Sequence, residues 1–141
     1  MTNPTYDVVA VGNAIIDVLK TVPHEFLVAE NIAKDAMTLI DEARADHLTA
    51  AFGADAVIAA GGSAANTVTG VAGLGGKAGY IGKVADDELG RRFTEAFRAG
   101  GVGFDTSPRP TPPGTARCLI AVTPDGRRSM NTYLGASTLL E

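Results

Sequence analysis

The 141-residue sequence contains a single cysteine, Cys118, so it forms no internal disulfide and offers no thiolate cluster for zinc. Long apolar runs are missing as well. Thr2, Asn3, Asp7, Asn13 and Asp17 interrupt the N-terminal region before a signal peptide or membrane span could form. Basic residues are scattered apart from the pairs Arg91-Arg92 and Arg127-Arg128, and the net charge is -4, so no stripe addresses nucleic acid. These absences lead to the expectation of a soluble protein in a reducing, cytoplasmic setting, with no nucleic acid and no membrane as partner.

Several catalytic signatures are also wanting. Gly76-Lys77 and Gly82-Lys83 are followed by Ala78 and Val84 where a phosphate-binding P-loop needs serine or threonine. Gly73-Leu74-Gly75 falls at a helix end, the wrong place for a dinucleotide fingerprint. Gly61-x-Ser63 continues to Ala65 and not glycine, which removes the nucleophile elbow of a hydrolase. His24 in a turn and His47 in a helical pattern read as surface or packing residues.

What is present is enough for one domain with a core: 45% of residues are apolar and 20% charged. Val8 to Val11, ending at Gly12, reads as a strand buried on both faces of a parallel sheet. Residues 15–40 alternate less regularly around Pro23 and His24 and read as excursion strands. From Asp41 to Gly53 the composition is helical. Ala56 to Ala60 reads as a strand, Gly61-Gly62 as a turn, and Ser63 as the cap of a helix reaching the glycines at 73, 75 and 76.

Ala78 to Ile81 forms a further strand in this reading. Asp86, Asp87 and Glu88 supply the cap and first-turn acids of a helix that carries Leu89, Phe93 and Phe97 and stops at Gly100-Gly101. After a proline-rich loop, Ala116–Val122 and Ser129–Leu134 flank Pro124-Asp125-Gly126 as a β-hairpin. Cys118, in the first hairpin strand, reads as a small buried hydrophobe. The alternation defines an α/β fold with a small β lid. Residues 135–141 open a new element with nothing to close the sheet, so a larger fold is expected to continue past them.

Gly61-Gly62-Ser63-Ala64-Ala65-Asn66 is the most informative stretch, because paired glycines admit close approach and the helix start offers free N–H groups. On turn chemistry alone such a stretch is more often a plain turn. Asn13 and Asp17 follow the first strand at its C-terminal end, where open α/β sheets bind ligands, and an amide with a carboxylate suits a sugar diol. An Asx turn and a solvated aspartate account for them as well. Arg128, near the hairpin turn, reads by itself as an ordinary exposed arginine.

The order Gly12-Asn13-x-x-x-Asp17, then Gly61 to Asn66, then Gly82-Lys83-Val84-Ala85-Asp86-Asp87-x-x-Gly90 resembles the PfkB family of carbohydrate and nucleoside kinases, from Tyr6 to Ser137. The resemblance implies a ribokinase-like, partial α/β/α sandwich over residues 1–141, with lid segments at about 15–40 and 115–134. It implies that Asp17 and Asn66 grip acceptor hydroxyls with Asn13, that Gly61 and Gly62 line the acceptor, and that Arg128 is catalytic, reaching toward the transferred phosphate. ATP and magnesium would be the cofactors of the complete enzyme, and a homodimer through the lid is a further expectation. Gly12-Asn13-x-x-x-Asp17 and Asn131-Thr132-Tyr133-Leu134 are more similar to the adenosine-kinase branch, which favours adenosine over a sugar of the ribose or fructose type.

Two departures qualify the match. Ala85 stands where a glycine is common, and the later glycine-rich motif that holds the catalytic base and the anion hole for ATP has no counterpart here. Taken by itself, the chain is then expected to lack kinase activity and to be poorly soluble; a non-catalytic nucleoside- or sugar-binding module is the alternative reading.

Overall fold

The computed structural model describes residues 5–141. Two sheets organise the chain. In the first, β1 (Val8–Val11), β5 (Ala78–Ile81) and β6 (Val102–Gly103) run parallel in the order β1-β5-β6. Helices α3 (Ser63–Gly73) and α4 (Glu88–Ala99) pack against it, and the face they cover bears Ala10 and Tyr80.

The second sheet has five strands in the order β3-β8-β7-β2-β4. These are β2 (Ile15–Thr21), β3 (Met37–Leu39), β4 (Val57–Gly61), β7 (Ala116–Val122) and β8 (Arg128–Tyr133). The hairpin of β7 and β8 closes through a turn in which Gly126 adopts φ 77° and the Thr123 hydroxyl donates to Asp125 at 2.5 Å. β2 lies parallel to β7 and antiparallel to β4. Two helices accompany this sheet, α1 (His24–Ala29) and α2 (Glu42–Phe52), of which α2 contacts β7 and β8.

Each helix has a local cause. Asp41 caps α2 by accepting from the Arg44 N–H at 2.8 Å, and Gly53 ends it with φ 77°. The same helix buries Ala45, Leu48 and Phe52, which join Ile16, Val18, Leu119 and Ala121 in the core. Phe93 and Phe97, one turn apart on α4, stack with centroids 4.3 Å apart. They enclose the ring of Tyr80 together with Phe104.

The Ala56–Ala60 run forms a strand as expected and, as β4, pairs antiparallel with β2. Three expectations are corrected by this arrangement. Residues 24–29 within the excursion form a helix and not a strand, anchored by buried Leu27. Ser63 is the first helical residue and not the cap; Gly62 holds that position with no side-chain bond. Of the two adjacent aspartates only Asp87 caps α4, accepting from the Gly90 N–H at 2.8 Å, while Asp86 is exposed.

The first strand also differs from a doubly buried one. Val9 is 51% exposed and Val11 62% exposed, since the helix that packs against β1, α3, covers only the opposite face. Among the described residues no helix is long and apolar enough to cross a membrane.

Candidate acceptor site at the junction of the two sheets

Residues 12–14 carry the chain from β1 into β2, and residues 61–62 carry it from β4 into α3, so the two sheets meet at two adjacent crossings. Close packing there demands glycine. A Cβ on Gly62, whose φ is 100°, would stand 2.8 Å from the Asn13 carbonyl oxygen. A Cβ on Gly61 would overlap the Asp17 carboxylate itself. The absent side chains thus let Asp17 lie directly over the backbone at the entrance to α3.

Beside these crossings is a cleft of about 290 Å³ lined by Val11, Gly12, Asn13, Ile15, Gly62, Ser63 and Ala64. The first turn of α3 opens toward this region without a side-chain cap, which leaves its leading N–H groups and the positive end of the helix for a ligand oxygen. Asp17 is half-buried, and burial pushes its carboxyl above the usual carboxylate range. No hydrogen-bond or ion-pair partner holds it among the described residues. A desolvated, unpaired carboxylate is a strong acceptor for ligand hydroxyls.

The structure therefore brings Asn13, Asp17, Gly61 and Gly62 together, with Asn66 exposed in the first turn of the same α3. Arg128 stands apart. It shares the face of the five-stranded sheet that carries Asp17, but the register Asp17↔Cys118↔Thr132 places it four residues farther along β8. At strand spacings that is ~16 Å from Asp17. Arg128 is exposed and makes no ion pair among the described residues.

Two neighbours of Asp17 escaped the sequence reading. Cys118 pairs with Asp17 across β2 and β7, and Thr132 pairs with Cys118 across β7 and β8, its hydroxyl donating to Sγ at 3.2 Å. Burial first, and then the Asp17 charge, push the Cys118 thiol up. The alternation of β8 and the hairpin turn define the Cys118–Thr132 pair, but nothing local to either segment predicts that β7 lies against β2.

Residues 7–141 match the pfkB family carbohydrate kinase pattern, and the chain belongs to that family. Its fold is the ribokinase-like α/β fold. It superposes on a probable sugar kinase from Rhizobium etli CFN 42 with TM-score 0.88 and 52% identity over 96% of this chain. An adenosine kinase from Sinorhizobium meliloti gives TM-score 0.86 and 54% identity over 95% of the chain. Fructokinase-1 of Oryza sativa subsp. japonica is 38% identical over 86 residues, 57% of the chain. The chain spans 41% of each of the two solved structures and 25% of the fructokinase.

Proposed function

We propose that this chain supplies acceptor binding and the lid for ATP-dependent phosphorylation of a primary hydroxyl on a nucleoside or sugar, with adenosine the preferred acceptor. The observation that carries the reading is the unpaired Asp17 carboxylate lying over Gly61 beside the uncapped start of α3. Asp17 accepts from two ring hydroxyls, Asn13 and Asn66 complete the grip, and the α3 N–H groups donate to acceptor oxygens. Apolar Ile15 and Val11 at the cleft fit a purine better than a free sugar. The 54% identity to an adenosine kinase supports the same preference.

In this reading the lid carries Arg128 toward the transferred phosphate on closure, which also excludes water. ATP and magnesium belong to the complete reaction. The described residues gather no three His, Cys, Asp or Glu side chains that would hold a metal, so we assign magnesium no ligand in this chain and route no step through it. The buried Cys118 thiol is consistent with the reducing cytoplasm as the working compartment.

The test is phosphorylation of adenosine, ribose and fructose by the longest natural polypeptide containing these residues. Adenosine is expected to turn over fastest. Faster turnover of either sugar overturns the adenosine preference, and phosphorylation of none of the three overturns the kinase reading.

A further inference from the structure

Tyr80 is the single hydroxylated ring in a cluster otherwise made of Phe93, Phe97 and Phe104. It is 2% exposed, and its hydroxyl has no hydrogen-bond partner among the described residues. A buried hydroxyl left unpaired costs stability, and phenylalanine would fill the same space without that cost. Tyrosine here calls for a reason beyond packing.

The direction of the hydroxyl supplies one. It stands 3.5 Å from where a Cβ of Gly12 would be, at a point where Ala64 is 2.9 Å away. Gly12 and Ala64 both line the cleft described above. The Gly12 carbonyl lies near the hydroxyl-bearing end of the ring, toward its other edge: a Cβ on Gly82 would be 2.8 Å from that oxygen, 2.6 Å from Tyr80 Cε1 and 3.0 Å from Cζ. The Gly12 N–H is bonded to the Ile81 carbonyl at 3.1 Å, but its own carbonyl accepts no hydrogen bond among the described residues. A donor and an acceptor, both unsatisfied, therefore flank the crossing that joins the two sheets.

We infer that Tyr80 is a positioning residue for the acceptor: its O–H closes onto the Gly12 carbonyl when ligand draws the Gly12–Ala14 crossing inward, and so fixes Asn13 and Asp17 around it. The inference rests on the acceptor-binding reading proposed above. The hydroxyl stays the donor in this contact throughout the physiological range, because burial holds the phenol up at about 12. Unsatisfied in the free protein and satisfied in the complex, the pair adds its hydrogen bond to binding affinity and not to unliganded stability.

Tyr80→Phe separates these roles, since the ring and its packing are kept. In the longest natural polypeptide containing these residues, adenosine and ribose affinities are measured by calorimetry and the unfolding midpoint is measured without acceptor. We expect affinity for whichever acceptor binds to fall about three- to tenfold, the worth of one hydrogen bond, while the midpoint holds or rises. Unchanged affinity overturns the positioning role and leaves the acceptor site standing. A lowered midpoint without acceptor also overturns it, because the hydroxyl would then be satisfied in the free protein. If the unsubstituted protein binds neither compound, the acceptor reading falls and the role of Tyr80 with it.

Discussion

Asp17 holds the site's charge at a cost. Its carboxyl is half-buried, has no cationic partner among the described residues, and is pushed above the ordinary range by desolvation. A carboxyl whose folded value is raised binds its proton more tightly in the folded chain than in the unfolded one. Its contribution therefore favours folding at low pH and is lost as pH climbs from the unfolded value through the raised one. Asp17→Asn is accordingly expected to leave unliganded stability at neutral pH equal or slightly higher, while acceptor affinity drops roughly 10- to 100-fold through loss of charge-assisted hydrogen bonds. Thermal melts and calorimetry of the pair check both halves. Acceptor affinity of the unsubstituted protein should also weaken as pH falls through the raised Asp17 value, where the carboxylate gains a proton; a flat profile would remove Asp17 from the grip. The candidacy of Asp17 was legible in the sequence because it sits a fixed distance past the first strand. Its nearness to Cys118 was not, because that depends on which strand docks beside β2.

At the level of elements, the N-terminus of α4 is tied to the start of β7 by one side chain. Asp87 accepts from the Gly90 N–H at 2.8 Å, from the Thr115 N–H at 2.8 Å and from the Thr115 hydroxyl at 2.7 Å. The Thr115 oxygen in turn accepts from the Ala85 N–H at 3.0 Å. Gly90 leaves room for this knot, since a Cβ there would come within 3.0 Å of the Thr115 oxygen and overlap the Ala85 carbonyl. Thr115 immediately precedes β7, so a helix cap doubles as the anchor of a strand in the five-stranded sheet. Asp87→Ala removes the cap and strands two buried donors, a loss of about 2–4 kcal/mol in unfolding free energy. Thr115→Val, which removes only the hydroxyl, should cost less, about 1–2 kcal/mol. Equal, negligible effects in chemical denaturation would show that the knot contributes nothing. The capping role of Asp87 could be read from its place before a helical pattern; its second role could not, because Thr115 is distant in sequence and joins it only after β7 has found its place.

Across the whole molecule, apolar surface is left uncovered in two regions. Val8, Val9, Val11 and Ile81 are exposed on the parallel sheet, and Met37, Leu39, Met130 and Val57 on the five-stranded one. Met37 and Met130 are direct cross-strand partners, so that second patch is continuous across β3 and β8. Exposed strands with apolar faces invite association. The 141 residues expressed alone are therefore expected to elute above 14.4 kDa in light-scattering chromatography at micromolar concentration, through lid-to-lid pairing or less ordered aggregation. Replacing Met37 and Leu39 with lysine should reduce that association. A monodisperse monomer with cooperative unfolding would contradict the expectation.

The sequence by itself determined the elements that depend on near neighbours. Asp41 and Asp87 ahead of helical runs, Gly53 behind one, the Phe93–Phe97 spacing and the Asp125-Gly126 turn each act within a few residues of chain. The ordered motifs around Asp17, Gly61-Gly62 and Asn66 likewise pointed to the junction where Asn13, Asp17, Gly61 and Gly62 come together. Only the tertiary structure decided that β4 joins the five-stranded sheet, that Cys118 and Thr132 stand in a row with Asp17, and that Arg128 lies well along the strand from them. The same holds for the Tyr80 hydroxyl, which meets the Gly12 crossing through the fold and not through spacing. The physical reason is common to all four. Hydrogen-bond ladders between distant strands accept many registers of similar local energy, and the choice among them is made when the shared core of Ile16, Val18, Leu119 and Tyr80 closes.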